Sequence, residues 1–263
     1  MNSLCWNCWG IGNPWTVFAL RDYVKRWNPK VVFLLETRLK NKHMEKVKYR
    51  LGFSNGVIVP RRGRSGGLAL LWSSDMNLEV KSYSNFHIDA IITEPENGFS
   101  WRYIGFYGHP ETHLREESWK LISFLNSQYC LPWFCCGDFN EILSMNEKAG
   151  GTQWSQRQME GFPQVVNNCC FQDLGYYGPD FTWSNMKEGN QRISLRLDRA
   201  FATPEWLELF RNPKVHHLAE STSNHCILAI SDSSPQSHRG KHKFNFEAMW
   251  AKIDDCREII DSA

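Results

Sequence analysis

The first 36 positions alternate between apolar runs of strand length and one helical repeat. Residues 2–7 form a short run that is apolar at its centre, and from Pro14 to Trp27 apolar residues recur every three or four positions, as on one face of a helix. Proline is favoured at the first position of a helix. Residues 31–35 are continuously apolar and end at Glu36. The pattern predicts a β-α-β unit.

Short β-rich runs follow between residues 53 and 107, separated by glycine, proline, asparagine and serine, which is typical of an antiparallel meander. These runs are 56–59, 67–72, 78–83, 86–93 and 99–107. The rest of the pattern predicts helices over 113–129, from Ser155 and from Pro204, and strands over 133–136, 180–184, 193–202 and 226–230. Gly161 and Pro163 disfavour the helix that begins at Ser155.

One large domain is expected over residues 1–231, because 263 residues with 42% hydrophobic content can bury a single α/β core. The chain turns polar between Ser231 and Lys243, with the composition of a linker. We expect residues 232–263 to be this linker and the start of a further region that does not join the core.

The charge balance excludes little, since 30 basic and 28 acidic residues leave a formal net charge of +2. No signal peptide precedes the first strand, and no apolar run approaches the ~18 residues of a membrane span. Nine cysteines are an odd number, which favours a reduced state. We therefore expect an intracellular, non-membrane protein and a monomer, and the sequence indicates no partner protein.

Cys5 and Cys8 form a C-x-x-C pair, which is compatible with a redox dithiol, half a zinc site, or a buried strand end. A thioredoxin-like pair would open a helix, whereas here glycines follow. A zinc site needs a second ligand pair at suitable spacing, and the sequence has none. The pattern favours the strand end.

Polar residues interrupt or end several apolar runs. Such residues are common turn caps, but in a layered α/β fold strand ends also converge on one rim where ligands bind. The set is Asn7, Glu36, Asp138, Asn140, Asp198, Asn224 and His225.

This set fits metal-assisted phosphodiester hydrolysis. Glu36 suits Mg²⁺, which takes one or two carboxylates together with water and phosphate oxygens. Asp138 can orient or deprotonate a water, and the amides can donate to phosphate. His225 can stabilise negative charge if Asp198 holds its tautomer.

In motif order the chain resembles the endonuclease/exonuclease/phosphatase superfamily, which includes apurinic/apyrimidinic endonucleases and pancreatic deoxyribonuclease. The matching segments are 6–7, 35–37, Tyr107, 137–140, 196–199 and 223–225. Five further segments resemble the endonuclease domain of plant LINE-type non-LTR retrotransposons, in which a reverse transcriptase follows. They are 7–14, 66–69, 105–108, 180–185 and 243–250.

The resemblance implies a four-layer α/β sandwich, with two packed mixed β-sheets flanked by helices as in deoxyribonuclease I. It implies Mg²⁺, or Mn²⁺, as cofactor, duplex DNA as substrate, a nuclear location, and nicking of one strand. The roles it implies are metal binding by Glu36 with Asn7, activation of water by Asp138, phosphate contacts from Asn7, Asn140, Tyr107 and His225, and support of His225 by Asp198.

Three departures from the family pattern predict an impaired copy. Asn224 stands where the family has an aspartate on the metal side of the site. Trp9 replaces an arginine or aspartate, and residues 108–110 lack a phosphate-contacting asparagine. A site with fewer carboxylates should bind Mg²⁺ more weakly.

Two further features leave alternatives open. Arg61, Arg62 and Arg64 at a glycine-rich hairpin tip are either solvated or DNA-backbone contacts. Trp183 is interpreted as core rather than as a wall of the site. For function, the alternatives are a phosphatase or ribonuclease with the same site, or a catalytically dead, vestigial protein that binds nucleic acid.

Overall fold

The computed structural model describes residues 1–95 and 98–231, so the predicted linker and tail lie outside the described residues. The α-helices are α1 (Pro14–Trp27), α2 (Asn41–Leu51), α3 (Arg115–Asn126), α4 (Gln156–Asn168) and α5 (Pro204–Leu209). The strands are β1 (Ser3–Asn7), β2 (Val31–Leu35), β3 (Asn55–Val59), β4 (Leu68–Trp72), β5 (Asn77–Tyr83), β6 (His87–Thr93), β7 (Ser100–Tyr107), β8 (Trp133–Asp138), β9 (Lys148–Ala149), β10 (Gln172–Asp173), β11 (Trp183–Ser184), β12 (Ser194–Leu195), β13 (Asp198–Ala202), β14 (Lys214–Leu218) and β15 (Ile227–Ser231).

Two six-stranded sheets form the centre of the molecule. The first has the order β14-β15-β1-β2-β4-β3, and the second β10-β13-β8-β7-β6-β5. Each is mixed, because β1 pairs with β2 and β7 pairs with β8 in parallel while the other pairings are antiparallel. A small third sheet, β11-β12-β9, lies beside them.

Three apolar layers hold the sheets and helices together. Side chains such as Phe33, Tyr103 and Phe134 are fully buried in one cluster that contains strands of both large sheets. The other face of the first sheet shares a cluster with α1 and α2, and the other face of the second sheet shares one with α3 and α4. This arrangement is the expected four-layer sandwich of two mixed sheets flanked by helices, and it confirms the predicted fold class.

The helix predicted from Ser155 is present as α4, and it runs through Gly161 and Pro163 although both residues disfavour a helix. A capping box between Ser155 and Gln158 starts it. Its buried face, which includes Phe162, packs against α3 and the second sheet. Tertiary packing of one apolar face outweighs poor intrinsic propensity in most protein helices.

Strand boundaries differ from the prediction in the last third of the domain. The apolar run 193–202 is two strands, β12 and β13, and β14 was not predicted. The polar alternation of β14 reflects its position at the edge of the first sheet, with one face exposed. No helix in the described part of the chain has the length and apolarity that crossing a bilayer requires.

Candidate active site

Strand register assembles the site from segments that are far apart in sequence. In the parallel β1–β2 pair, Asn7 lies opposite Leu35, the residue before Glu36. In the second sheet, Asp138 lies opposite both Tyr107 and Asp198. A single bridge between Trp183 and His225 connects the small sheet to the segment before β15. The strand-end residues predicted to converge therefore lie at one end of the sandwich.

Asp198 and His225 form a buried hydrogen-bonded pair. The Nδ1–H of His225 donates to Asp198 Oδ2 at 2.8 Å. Burial alone lowers the pKa of His225, but the adjacent charge of Asp198 outweighs it, so the pKa is raised. Asp198 is itself held by Thr182, whose Oγ1 accepts from the backbone N–H of Asp198 at 2.9 Å. Asp198 therefore stabilises the protonated imidazolium, and in the neutral ring it holds the proton on Nδ1.

Asp138 lies directly beside this pair. Its Oδ2 is 3.9 Å from His225 Nε2 and accepts from Asn7 Nδ2 at 2.9 Å, while its Oδ1 accepts from the Asn140 backbone N–H. Burial and the charge of Asp198 raise the pKa of Asp138, and His225 opposes the rise. A carboxylate whose pKa moves toward neutrality is suited to accept a proton from water.

Glu36 is surrounded by three donors from the chain. Its Oε1 accepts from the Gly66 backbone N–H at 2.8 Å and from the Tyr107 hydroxyl at 2.9 Å. Its Oε2 accepts from Arg38 Nε at 3.1 Å. Burial and the nearby acidic charges raise the pKa of Tyr107, so its hydroxyl keeps the proton that it donates. Tyr107, predicted to contact phosphate, here orients Glu36.

The side chain of Asn140 also makes a hydrogen bond within the protein. Its Nδ2 donates to the Gly108 carbonyl at 2.9 Å. Gly108 lies so close to the end of β8 that a Cβ at this position would be 2.1 Å from the Phe139 carbonyl oxygen. The close approach of these two backbone segments therefore requires glycine. The second amide hydrogen of Asn140 has no acceptor among the described residues, and a contact between Asn140 and phosphate stays a prediction.

The oxygen atoms of and near Glu36 are ligand types that suit a small hard cation such as Mg²⁺. Glu36, Asn7 and Asn224 line the same cleft and offer one carboxylate and two amide oxygens. Asn7 Oδ1 accepts from the Trp9 backbone N–H at 3.2 Å. Asn224 Oδ1 is buried and has no hydrogen-bond partner among the described residues. Oxygen ligands are what Mg²⁺ requires, although a single carboxylate gives weak binding.

A second group of donor atoms lies close together, because one atom from each of Asp138, Asp198 and His225 falls within 4.8 Å of the others. The hydrogen bond between His225 and Asp198 occupies Nδ1. Glu36 lies in the same cleft but is not part of this group.

The cleft has a volume of about 750 Å³, and its lining includes three arginines, three acidic residues and several aromatic side chains. Trp183 packs against a small apolar cluster with Leu195 and Leu197 and also lines the cleft, so it combines the predicted core position with a place in the wall. Arg62 lines the cleft, whereas Arg61 Nη1 donates to Gly63 within its own hairpin. Arg64 is exposed on the same hairpin. The three hairpin arginines are therefore not equivalent.

Sequence reasoning missed two arginines in the cleft. Arg38 pairs with Glu36 and lies 5.3 Å from the centre of the Trp9 ring, and Arg115 pairs with Glu141. The position of Arg38, two residues after a strand-end glutamate, was a signal that could have found it. Arg115 had no comparable signal, because its partner Glu141 lies 26 residues away in the sequence, after β8.

The cysteines of the C-x-x-C pair are buried. Cys8 Sγ donates to the Leu35 carbonyl, and burial raises its pKa to about 12. Burial also raises the pKa of Cys5. Neither thiol therefore ionises readily to the reactive thiolate, which agrees with the interpretation as a buried strand end.

Comparison with known proteins identifies the class. The profile of the Endonuclease/Exonuclease/phosphatase family matches residues 4–232, so the chain belongs to this family. No curated protein matches it significantly.

Solved structures of similar fold include the endonuclease domain of TRAS1, a telomere-specific non-LTR retrotransposon, with a TM-score of 0.63 at 14% identity over 88% of this chain and 97% of that one. An AP endonuclease from Archaeoglobus fulgidus has a TM-score of 0.67 at 17% identity, over 88% and 98% of the two chains. A 3′-5′ exonuclease from Neisseria meningitidis has a TM-score of 0.67 at 15% identity, over 88% and 99%.

Proposed function

We propose that this chain is a metal-dependent phosphodiester hydrolase that nicks one strand of duplex DNA. The observation that carries the proposal is the buried Asp138, Asp198 and His225 group beside Glu36 in one cleft. If these residues only capped turns, the fold would not require a buried carboxylate and a buried imidazole 3.9 Å apart. Perturbed titratable groups in a cleft indicate a catalytic site.

Asp138 serves as the general base in this mechanism. Its raised pKa and its open side toward the cleft suit it to take the proton of a water that attacks phosphorus. Asn7 Nδ2 and the Asn140 backbone N–H fix the carboxylate by hydrogen bonds to its two oxygens. The base is thereby held in one orientation before substrate binds.

His225 stabilises negative charge that develops on the phosphate oxygens. Asp198 favours the protonated imidazole through its charge and its hydrogen bond to Nδ1, which leaves Nε2 on the side of Asp138. The remaining amide hydrogen of Asn140 donates to the same phosphate. A preorganised donor set of this kind needs little rearrangement in the transition state.

Glu36, with Asn7 and Asn224, would hold Mg²⁺ or Mn²⁺, which when bound supplies Lewis-acid stabilisation of the phosphate and leaving-group oxygens. Asn224 contributes no charge to this set, so we expect a high Mg²⁺ requirement. The activity of this copy should accordingly be lower than that of a site with two carboxylates.

Duplex DNA is the substrate that the cleft favours. Arg38, Arg62 and Arg115 line it together with Trp9 and Trp183, and arginines with aromatic side chains are common in nucleic-acid interfaces. The fold shared with the TRAS1 endonuclease domain supports the same choice. Retrotransposon origin follows from the segments that resemble plant LINE elements.

Nicking of supercoiled plasmid in Mg²⁺ and in EDTA tests the proposal. We expect nicking in Mg²⁺, and loss of at least about 10³-fold for Asp138→Asn, the scale of a general-base contribution. Asp22→Asn, an exposed site on α1, is the matched control. Nicking in EDTA, or by Asp138→Asn at the unaltered rate, would contradict the mechanism.

Assays of the same protein preparations on other substrates distinguish a DNA endonuclease from the alternative functions. Cleavage of RNA or of a phosphomonoester without plasmid nicking would support a ribonuclease or phosphatase. A folded protein that binds a fluorescent duplex and cleaves none of these substrates would support the vestigial binding protein.

A further inference from the structure

Arg115 lies in the cleft without a role in the proposed mechanism. It is the first residue of α3, and its side chain is 12% exposed. It lines the same cleft as Asp138 and Asn140. A buried arginine at the base of a catalytic cleft places a permanent positive charge where an anionic substrate must enter.

Two side chains fix the Arg115 guanidinium from behind. Glu141 Oε2 lies 3.4 Å from Arg115 Nη1, and the carboxylate is almost fully buried. The guanidinium carbon also lies 4.6 Å from the centre of the Trp154 ring. Stacking on an aromatic face together with one carboxylate contact defines the plane of the guanidinium.

Glu141 neutralises this charge only in part. Burial raises the pKa of Glu141 to about 7, and the charge of Arg115 opposes the rise. Near neutral pH a fraction of Glu141 is therefore protonated while Arg115 stays charged.

Arg115 also has hydrogen-bonding capacity that the described residues do not use. Its Nε is buried without a partner among them, and five N–H groups meet one carboxylate oxygen. Elsewhere in the cleft, Tyr107 donates to Glu36 and Asn140 donates to Gly108. Donors for phosphate oxygens are correspondingly few, and residues 108–110 include no asparagine to add one.

We propose that Arg115 binds a phosphate group of the nucleic-acid backbone in this cleft, and that Glu141 is a positioning residue for it. The substrate class rests on the proposed function, whereas the anion site rests on the geometry of Arg115. Arginine is suited to this role because its planar fork matches the oxygens of phosphate. The site replaces the phosphate contact that the segment after Tyr107 lacks.

The salt dependence of duplex binding in EDTA tests the site without catalysis. The probe is a fluorescent 20-base-pair duplex, and the variants are Arg115→Met, which keeps the aliphatic stem, and Arg21→Met, an exposed control on α1. Loss of one phosphate contact reduces the slope of log K against log salt by about 1. We expect that reduction for Arg115→Met and no change for Arg21→Met. An unchanged slope for folded Arg115→Met would overturn the proposal.

Two further variants distinguish positioning from folding. Arg115→Lys, which keeps the charge and loses the fork, should bind with intermediate affinity. Glu141→Gln should raise KM for plasmid about tenfold with a smaller change in kcat, and adding it to Arg115→Met should cause no further loss, because both act on one contact. Equal losses in kcat and additive effects would show that Glu141 is merely structural. Thermal melts confirm that each variant folds.

The outcomes separate this proposal from the one on which it rests. If the unaltered protein cleaves no substrate but Arg115→Met still reduces the slope, the phosphate site stands and the enzymatic function fails. If the protein nicks DNA while the slope is unchanged, the function stands and Arg115 has no phosphate contact.

Discussion

Residues around the cleft adopt backbone conformations that non-glycine residues disfavour. Trp9, Glu36, Arg38 and Asn140 have φ values of +46°, +50°, +54° and +53°. Each such residue costs about 1–3 kcal/mol and persists where the surroundings impose it, often at functional sites. Their concentration at one cleft is independent support for its importance, and it places the side chains of Glu36 and Asn140 toward it.

Asn224 is the residue whose replacement should restore activity. Asp is nearly isosteric with Asn and adds a negative charge beside the proposed metal position. It also loses the donor that contacts the Ser184 carbonyl at 3.4 Å, a long hydrogen bond. We expect Asn224→Asp to raise plasmid nicking at limiting Mg²⁺ at least tenfold, about 1.4 kcal/mol of transition-state stabilisation.

The matched control is Asn41→Asp, which adds the same charge at an exposed position on α2. Equal rates for the unaltered protein and Asn224→Asp would show that Asn224 is a tolerated alternative and that the copy is not impaired through this position.

Arg38 should weaken metal binding because its guanidinium already neutralises Glu36. The two groups are 3.1 Å apart, and the side chain of Arg38 is 36% exposed. Ion pairs at this exposure contribute up to about 1 kcal/mol. We expect Arg38→Met to bind Mn²⁺ about fivefold more tightly by electron paramagnetic resonance titration, the equivalent of about 1 kcal/mol. Unchanged affinity, or the same gain in Arg21→Met, would contradict this role.

Close packing between helices explains why α4 contains a glycine that lowers its helix propensity. A Cβ at Gly161 would lie 2.2 Å from Cζ3 of Trp119, so α4 can approach α3 this closely only with glycine at this position. The same glycine that lowers helix propensity therefore improves the packing of α4.

Gly161→Ala should destabilise the protein although alanine is the better helix former. The gain in propensity is about 1 kcal/mol, and overpacking against the rigid Trp119 ring costs about 1–3 kcal/mol. We expect a melting temperature lower by a few degrees, at roughly 2–4 °C per kcal/mol for a domain of this size. Gln164→Ala, exposed on the same helix, should not lower it. A higher melting temperature for Gly161→Ala would refute the packing argument.

At the scale of the whole molecule, buried neutral histidines should make the fold sensitive to acid. Burial lowers the pKa of His217 below its ordinary value of 6.5. Its Nδ1–H donates to the Pro179 carbonyl at 2.8 Å, and its ring stacks on Tyr176. Below pH 6.5 the unfolded chain gains a proton that folded His217 resists, so stability falls until the pH reaches the lowered folded-state pKa.

We therefore expect His217→Asn, which can retain a donor near Pro179, to lose less free energy of unfolding than the unaltered protein between pH 7 and pH 5. Urea denaturation at the two pH values measures the difference. His225 acts in the opposite direction, because its raised pKa adds stability as the pH falls. An equal loss in the variant would mean that His217 titrates normally.

The domain should not depend on the tail. Residues 1–231 supply both sheets and the helices that cover them, and the family profile matches residues 4–232. We expect a chain that ends at residue 232 to have nearly the same melting temperature as the full chain. A large decrease would show that residues 233–263 pack on the domain and that the predicted boundary is wrong.

The sequence by itself determined most of the longer strands and helices, the α/β character of the chain and the polar residues at strand ends. These are local properties: hydrophobic periodicity distinguishes strands from helices, and a polar residue that ends an apolar run is visible without any partner. Convergence of Asn7, Glu36 and Asp138 on one rim followed from layered topology and from resemblance to a known family. Their predicted chemical roles remain to be tested by the experiments above.

Only the tertiary structure decided which atoms each side chain meets. The Tyr107 hydroxyl donates to Glu36, and Arg38 and Arg115 enter the cleft, because strands distant in sequence lie in register and side chains between them adopt one packing. It also explains the glycine within α4, since the Trp119 ring of α3 occupies the space that a side chain at Gly161 would need. Such contacts depend on rotamers and on separations of a few tenths of an ångström between segments far apart in the chain. No local pattern of apolar and polar positions contains that information.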